Sequence, residues 1–322
     1  MNERETTLTV IATDGTEIVC YRWQPTDQAK AVVLIVHGLA EHSARYARLA
    51  DRLTAAGYAV YAPDHRGHGR TAERAEAHGG KAFGVFADKD GWPVVVGDLR
   101  AVAHQARADH PGLPVFLLGH SMGSFLARSY AIAHGAELSG VVLSGTGADP
   151  GLLGKVGALV AGVQGRVRGR ARQSPLMDKL SFGQFNAAFK PNRTGYDWLS
   201  RDEAEVDAYI ADPWCGQISS AGMFSDLLAG LAGVNKDANV AKVPKALPVL
   251  LVSGELDPVG GATAVASVAA QFRRAGLLDV TEKVYPQARH EIFNETNRDQ
   301  VFDDVVGWLD TRLAGRPGSP AR

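Results

Sequence analysis

Apolar residues in this chain form short continuous runs that alternate with segments of helical periodicity. Residues 31–37 (AVVLIVH) make up one such run, and residues 44–56 follow it with apolar positions three or four apart. A strand with one face in water alternates apolar and polar residues, whereas a strand covered on both faces can be apolar throughout. The run therefore predicts a buried strand of a parallel sheet, and the segment after it predicts a helix that ends before Gly57.

The same alternation extends over most of the chain and predicts the elements of one α/β fold. Strands are predicted at residues 6–11, 17–23, 31–37, 58–62, 115–118, 140–144, 248–253 and 280–285, and helices at residues 44–56, 93–110, 122–134, 263–275 and 300–313. The Asp14-Gly15 pair between the first two strands is typical of an antiparallel hairpin. The later alternation predicts a mostly parallel central sheet with helices on both faces.

The alternation is interrupted after the sixth predicted strand, where the pattern is helical or irregular and predicts no strand. We interpret this segment as a helical cap inserted into the α/β core. The sequence thus divides into a first part of the core at residues 1–146, the cap at residues 147–246, a second part of the core at residues 247–313 and a flexible tail at residues 314–322. The tail is predicted from its Gly, Pro, Ala and Arg content.

Composition and charge are those of an ordinary soluble globular protein. The chain has 322 residues and a formal net charge of −1, so no global field attracts it to nucleic acid. The two cysteines, Cys20 and Cys215, exclude a disulfide framework and fit a reducing compartment. Neither a signal peptide nor a membrane-spanning run is visible, and a cytoplasmic location is therefore expected. The sequence makes no prediction about the oligomeric state.

Residues 119–123, Gly-His-Ser-Met-Gly, match the nucleophile-elbow pattern Gly-x-Ser-x-Gly. The position of the match strengthens it, because the motif follows a short apolar strand and opens a predicted helix. Glycine is needed at both ends of so tight a turn, and the serine is held in a strained conformation with its hydroxyl exposed. Ser121 is therefore the candidate nucleophile, and an ordinary glycine-flanked turn is the alternative interpretation.

A serine hydroxyl becomes nucleophilic only when a base takes its proton, and the acid and the histidine follow the serine along the chain in folds with this elbow. Only His134 and His290 come after Ser121. His134 lies in the helix that leaves the elbow, whereas His290 follows the last predicted strand, so His290 is the candidate base. Asp257, in the loop after the preceding strand, is the candidate acid that orients the base, and Glu255 in the same loop is its competitor.

Two backbone N–H groups are needed to stabilise the oxyanion that forms during acyl transfer. One is predicted at Met122, directly after the nucleophile. The other is predicted at Leu39, in the loop after the strand at residues 31–37, where Gly38 lets the backbone turn inward.

Metal binding is the alternative use of four histidines that are close in sequence. His37, His42, His65 and His68 lie in two loops that follow different strands, without a matching cysteine or carboxylate pattern. We therefore predict no metal, and we expect His65 and His68 to hold the loops together through hydrogen bonds.

Five motifs, in the same order, resemble one family, the monoacylglycerol lipase and lysophospholipase group of α/β-hydrolases, which is also described as serine aminopeptidase-like (S33). The motifs are HG-x-x-EH-x-x-R-Y at residues 37–46, D-x-RGHG at 64–69, GHSMG at 119–123, the acid loop at 254–257 and H-E-x-x-N-E at 290–295. The resemblance covers nearly the whole chain. It implies the triad Ser121, Asp257 and His290, the donor pair Leu39 and Met122, a cap over the active site, and no cofactor.

The resemblance also implies a function, the hydrolysis of monoacylglycerols, lysophospholipids or similar single-chain esters through an acyl-enzyme. A peptidase or amidase of the same fold is the first alternative. It would need carboxylates near the pocket to hold a substrate amine, and Glu203, Glu205 and Asp207 are conceivable, although a solvated helix face explains them more simply. A non-catalytic protein that binds an apolar ligand is the second alternative.

The start of the cap suggests contact with a membrane surface. Residues 152–163 are mostly apolar and are followed by Arg166, Arg168, Arg170 and Arg172, so apolar side chains could immerse while arginines meet lipid phosphates. The alternative is a cap helix packed on the core and then a flexible solvated loop. The glycines among the arginines favour that loop.

Overall fold

A computed structural model describes residues 5–80 and 83–314, and the described part contains one eight-stranded sheet. Its strands are β1 (Glu5–Ile11), β2 (Glu17–Trp23), β3 (Ala31–Val36), β4 (Tyr58–Pro63), β5 (Val115–His120), β6 (Gly140–Ser144), β7 (Val249–Gly254) and β8 (Val280–Tyr285). They lie in the order β1-β2-β4-β3-β5-β6-β7-β8. The β1–β2 and β2–β4 pairs are antiparallel and the other pairs are parallel, which confirms the predicted sheet.

The central strands are apolar throughout because helices cover both faces of the sheet. Every residue of β3 is buried, and since side chains alternate along a strand, Val32 and Leu34 join one apolar cluster while Val33 and Ile35 join the other. The continuous apolar run seen in the sequence therefore supplies two cores at once.

Eleven α-helices are found in the residues that the structure describes. They are α1 (Ala47–Ala55), α2 (Gly69–Ala77), α3 (Gly91–Asp109), α4 (Met122–His134), α5 (Gly151–Arg168), α6 (Pro175–Phe182), α7 (Glu203–Ala211), α8 (Ala221–Val234), α9 (Asp237–Val240), α10 (Gly261–Arg274) and α11 (Arg298–Ala314). The helix α2 was not predicted, since its sequence has no apolar period. Thr71 holds it in place by donating a hydrogen bond to the carbonyl of Asp64 and accepting one from the N–H of Val19.

The five helices α5–α9 occupy the segment between β6 and β7 that we interpret as a cap. Within it α5 packs on α8, and α8 packs on the core helices α3 and α4. The buried guanidinium of Arg128, on α4, donates hydrogen bonds to the carbonyls of Gly147 and Val234 and to the side chain of Asn235. One core side chain therefore joins the two ends of this insertion.

The loop expected after residue 163 is partly wrong, because α5 continues as a helix to Arg168. The side chain of Gln164, inside this helix, accepts a hydrogen bond from Ser174, and Arg170 pairs with Asp226 of α8. Tertiary contacts of this kind routinely outweigh the low helix propensity of glycine. The predicted tail lies outside the described residues from position 315 onward.

Candidate active site

Ser121 lies at a sharp turn between the end of β5 and the start of α4. Its backbone has φ 52° and ψ −121°, a conformation that costs free energy for a residue with a side chain. A Cβ on Gly119 would lie 2.2 Å from the carbonyl oxygen of Gly123, and a Cβ on Gly123 would lie 2.0 Å from that of Val36. Both positions therefore require glycine, as the elbow pattern predicts.

His290 and Asp257 form a buried pair at the ends of β8 and β7. The imidazole Nδ1 of His290 lies 2.8 Å from Oδ1 of Asp257. The same carboxylate accepts hydrogen bonds from the Ser253 hydroxyl and the Val259 N–H, which hold it in place. An aspartate bonded in this way keeps the Nδ1 proton on the ring and leaves Nε2 free to act as a base.

The charges of this pair stabilise each other. Burial alone would lower the pKa of His290, but the carboxylate of Asp257 raises it above the ordinary imidazole value. Burial alone would raise the pKa of Asp257, but the imidazole lowers it below the ordinary value. Asp257 therefore stays ionised and stabilises the imidazolium that forms when His290 accepts a proton.

The two competing residues lie elsewhere. Glu255 is exposed and its carboxylate accepts a hydrogen bond from the N–H of Gln287. His134 lies at the end of α4, where its ring packs against Tyr130 with 5.3 Å between the centroids. Neither takes part in the contact with His290.

The Ser121 turn and the His290–Asp257 pair both lie at the carboxyl ends of the parallel strands, and residues that adjoin them are in contact. The ring of His120, next to Ser121, lies 4.7 Å from the His290 ring, centroid to centroid. A Cβ on Gly145, just after β6, would lie 3.0 Å from Cε1 of His290 and 3.2 Å from Oδ2 of Asp257. These residues all follow the carboxyl ends of parallel strands, where open α/β sheets bind their ligands.

The predicted oxyanion donors, Leu39 and Met122, belong to two segments that adjoin Ser121. A Cβ on Gly38 would lie 3.2 Å from Cβ of Ser121, so the loop after β3 passes directly beside the serine. The Gly38 N–H is already used, since it donates to Glu41 over 2.6 Å, and Leu39 carries the next N–H along the loop. Met122 is the first residue of α4, where backbone N–H groups have no partner within the helix.

A buried ionic network joins the loop after β3, which we call the oxyanion loop, to the loop between β8 and α11, which we call the histidine loop. Sequence reasoning missed this network. Arg45 contacts Glu41 over 2.7 Å and forms two hydrogen bonds of 2.6 Å with Glu291, the neighbour of His290. Glu41 also accepts from the hydroxyl of Tyr46. Although burial opposes it, Arg45 lowers the pKa of Glu291 to about 2. The i, i+4 spacing of Glu41 and Arg45 was the available signal.

The clustered histidines bond to loop backbone, which is the role expected for two of them. The backbone N–H of His65 donates to Nε2 of His37, and a ring nitrogen of His68 bonds to the carbonyl of Arg66. Burial lowers the pKa of His65 to about 3 and that of His68 to about 4, so both rings are neutral. Among the described residues, His37, His65 and His68 belong to no group of three potential metal ligands.

His42 belongs to a different group, which the sequence did not indicate. Among the described residues, His42, Asp212 and Cys215 are the one set of three potential metal ligands whose atoms lie within 4.8 Å of one another. A 2.8 Å hydrogen bond between His42 and Asp212 accounts for most of this proximity. We therefore interpret the group as a contact between the oxyanion loop and the segment after α7.

Aromatic side chains from the inserted segment cover the histidine. The ring of Trp198 lies 5.1 Å from that of His290, and Phe185 and Phe182 pack against Trp198 at 4.9 Å and 6.4 Å between centroids. Phe182 also contacts Phe224 at 6.2 Å. Apolar side chains of the inserted segment thus cover the site, and such a surface favours substrates with an apolar part.

Of the three cap carboxylates considered for a peptidase, Glu203 and Asp207 are exposed, whereas Glu205 is half-buried. Glu205 pairs with Arg48, and Asp207 pairs with Arg193 over 2.7 Å. Arg193 also lies 3.8 Å from the Glu203 carboxylate, so partly exposed arginines pair with all three carboxylates.

Comparison with known proteins identifies the family. A family model described as "Serine aminopeptidase, S33" matches residues 27–297. The chain belongs to this S33 family. The family description names a peptidase, whereas several S33 relatives of this chain have the names of lipases, so the description alone does not determine the bond that is cleaved.

Two relatives of this S33 protein match it over nearly their whole length. It is 32% identical to a monoacylglycerol lipase of Mycolicibacterium smegmatis, over 93% of this chain and 95% of the relative. It is 31% identical to a monoglyceride lipase of Homo sapiens, over 95% of this chain and 90% of the relative.

Solved structures confirm the α/β-hydrolase fold of this S33 protein. A thermostable carboxyl esterase from Bacillus coagulans superposes with a TM-score of 0.89 at 27% identity, covering 97% of this chain and 100% of the esterase. A monoglyceride lipase from Saccharomyces cerevisiae, solved with a substrate analogue, superposes with a TM-score of 0.73 at 25% identity, covering 96% and 97%.

Proposed function

We propose that this protein is a serine ester hydrolase that acts on monoacylglycerols, with Ser121 as nucleophile, His290 as base and Asp257 as the acid that orients the base. The observation that carries the proposal is the buried His290–Asp257 pair beside a serine with positive φ. The relatives that match most of the chain have the names of monoacylglycerol lipases, and this supports the choice of substrate.

The geometry suits an acyl-enzyme mechanism. The hydroxyl oxygen of Ser121 attacks the ester carbonyl carbon while its proton passes to Nε2 of His290. The N–H groups of Leu39 and Met122 donate to the oxyanion. When the tetrahedral intermediate collapses, His290 returns the proton to the departing glycerol oxygen. Water then attacks the acyl-enzyme, giving its proton to His290, and the fatty acid leaves as Ser121 regains a proton.

A peptidase of the same fold fits the site less well. To hold a substrate ammonium group, an aminopeptidase needs a carboxylate that is not already paired. The buried carboxylates of Glu41 and Glu291, beside the site, both pair with Arg45, and that of Asp257 pairs with His290. A non-catalytic binder would have no use for the strained backbone of Ser121, which costs stability.

Substrate preference tests this proposal. We expect the protein to release fatty acid from mono-octanoylglycerol and to cleave leucine p-nitroanilide at least about 100-fold less efficiently in kcat/KM, because the site offers no free carboxylate to the amine. Fatty-acid release and nitroaniline absorbance measure the two reactions. A higher kcat/KM for the nitroanilide would contradict the proposal and favour the peptidase.

We further propose that the cap touches a membrane surface. The helix α5 exposes apolar side chains three or four residues apart, at positions 152, 156, 159, 163 and 167. Leu152, Leu159 and Val167 are the most exposed of these, at 75%, 67% and 78%. The arginines Arg166 and Arg168 are exposed at its end, where they could meet anionic lipid headgroups. None of the described helices is long and apolar enough to cross a bilayer. A cytoplasmic location stays a prediction.

Binding to vesicles tests the membrane contact. In the double variant Leu152→Ser/Leu159→Ser, we expect partitioning onto vesicles of phosphatidylcholine with one part in four phosphatidylglycerol to fall by about tenfold, because two immersed apolar side chains are lost. Leu278→Ser is the matched control, since Leu278 is 82% exposed on the core. Unchanged sedimentation of the double variant with vesicles would exclude this face.

A further inference from the structure

The side chain of Arg289, the residue before the candidate base His290, extends from the core to the inserted segment. Nη1 of Arg289 donates hydrogen bonds to the carbonyls of Asp197 and of Ser200, the latter over 3.0 Å. Its guanidinium carbon lies 4.4 Å from the centre of the Phe189 ring. A cation over an aromatic face is attracted by the ring quadrupole, so Arg289 is held from three sides by residues of the cap.

The main chain of the same loop is bonded to the same stretch of the cap. The N–H of His290 donates to the carbonyl of Trp198 over 3.3 Å, and that of Glu291 donates to the carbonyl of Leu199 over 2.7 Å. The Ser200 hydroxyl donates to the carbonyl of Asn294. Residues 197–200 therefore lie along the histidine loop and bond to it, and we call them the cap strap.

The histidine loop has little regular structure of its own. Between β8 and α11 it contains a single short 3₁₀ turn, Ile292–Asn294, and Gln287 has φ 60°. Its own backbone hydrogen bonds are short-range, such as Ile292 N–H to the carbonyl of His290 and Asn294 N–H to that of Glu291, so the loop also depends on the segments that it packs on for its position.

The bond to Asp257 orients the imidazole ring. On the core side the backbone before His290 is held by the Leu256 N–H, which donates to the carbonyl of Ala288. It is also held there by the Arg289 N–H, which donates to Glu295. The contacts of the Arg289 side chain hold it on the cap side.

We propose that Arg289 is a positioning residue for the reaction: by clamping the cap strap, it fixes the backbone of His290 at the distance from Ser121 that proton transfer requires. The inference rests on the proposed role of His290 as base. Misplacing a catalytic group by about 1 Å can reduce turnover by about 100-fold. Arg289 acts through His290 and has no contact with the ester in this account.

Lysine is a poor substitute in such a clamp. The planar guanidinium can bond to two carbonyls and stack on a ring at once, whereas an ammonium group is a compact point charge without a flat face. Arg289→Lys therefore keeps the positive charge and removes the planar guanidinium, so it tests the geometry of the clamp separately from its charge. Arg193→Met is the matched control, because Arg193 is also a cap-contacting arginine but pairs with the exposed carboxylate of Asp207.

The test compares Arg289→Met, Arg289→Lys and Arg193→Met with the wild type on the soluble ester p-nitrophenyl butyrate. We expect Arg289→Met to lower kcat by about 10- to 100-fold with KM changed less than about twofold, the signature of a lost transition-state contribution. Arg289→Lys should lose at least about threefold, and Arg193→Met should match the wild type.

The pH profile gives a readout that a purely structural role would not move. Activity falls as pH decreases through the pKa of His290, which Asp257 holds above the ordinary value against the effect of burial. If the loop loosens in Arg289→Met, the contact with Asp257 weakens and the acidic limb moves to lower pH. A variant with a changed melting temperature but with wild-type kcat and an unchanged acidic limb of the pH profile would indicate a structural role. That result would overturn the inference.

Two further outcomes are decisive. A rise in KM with unchanged kcat would overturn the inference, because Arg289 would then act on substrate binding. If Arg289→Met does not fold, Arg289→Lys and Phe189→Leu are measured in its place. Wild-type kcat and an unchanged acidic limb in both of these variants would likewise overturn the inference. Wild-type hydrolysis that is lost in Ser121→Ala establishes the proposed function separately, so failure of the clamp is distinguishable from failure of the mechanism.

Discussion

Replacement of Ser121 by alanine is expected to lower kcat for p-nitrophenyl butyrate by about 10⁶-fold, to a rate near that of the oxyanion hole acting alone. The reason is that the attacking oxygen itself is removed, so no acyl-enzyme can form. The strained backbone of Ser121 suits alanine no worse than serine, and the melting temperature should therefore change little. Initial rates and thermal unfolding of both proteins measure this.

A control and an independent label sharpen this experiment. Ser267 is exposed on α10, far along the chain from the elbow, and Ser267→Ala should keep wild-type kcat. A fluorophosphonate probe should label the wild type and Ser267→Ala but not Ser121→Ala. Labelling or hydrolysis that survives in folded Ser121→Ala would assign the nucleophile to another residue.

Replacement of Asp257 by asparagine is expected to lower kcat by about 10⁴-fold. The side chain keeps its size, but its amide nitrogen can donate to Nδ1 of His290, which stabilises the tautomer whose proton is on Nε2. That tautomer cannot accept the Ser121 proton. The loss of the carboxylate charge also removes the interaction that holds the pKa of His290 above its ordinary value.

The matched variant for this prediction is Glu255→Gln. Glu255 lies two residues away in the same loop, but its carboxylate is exposed and bonds to Gln287, so kcat should stay within about twofold of the wild type. Measured kcat for both variants decides between the two acids. A large loss in Glu255→Gln with an active Asp257→Asn would reverse the assignment.

The sequence predicted those elements whose residue types are determined by burial or by local backbone geometry alone. Strands covered on both faces, such as β3, are apolar at every position, so their runs were visible without knowledge of the fold. The Ser121 turn was equally visible, because the close backbone contacts at Gly119 and Gly123 demand glycine at two fixed positions. Constraints that come from local stereochemistry or from burial can therefore be recognised in the sequence around each residue.

Features that depend on distant partners were not predicted. Arg45 bonds to Glu291, 246 positions away along the chain, and nothing near Arg45 in the sequence indicates that partner. The end of α5 was misjudged for the same reason, since its support comes from contacts with Ser174 and, through Arg170, with Asp226. Trp198 was not identified as a neighbour of His290 because the fold alone brings them together.

The buried guanidinium of Arg128 closes the insertion at its base, where the chain leaves the core near Gly147 and returns past Val234. Because both crossing points are tied to one helix of the core, the stretch between them is a loop with fixed ends. Its interior can gain or lose turns without redirecting the chain into β7 or displacing the carboxylate that follows it. Outside the cap strap, substrate range and catalytic chemistry are thereby free to diverge at separate rates within one chain.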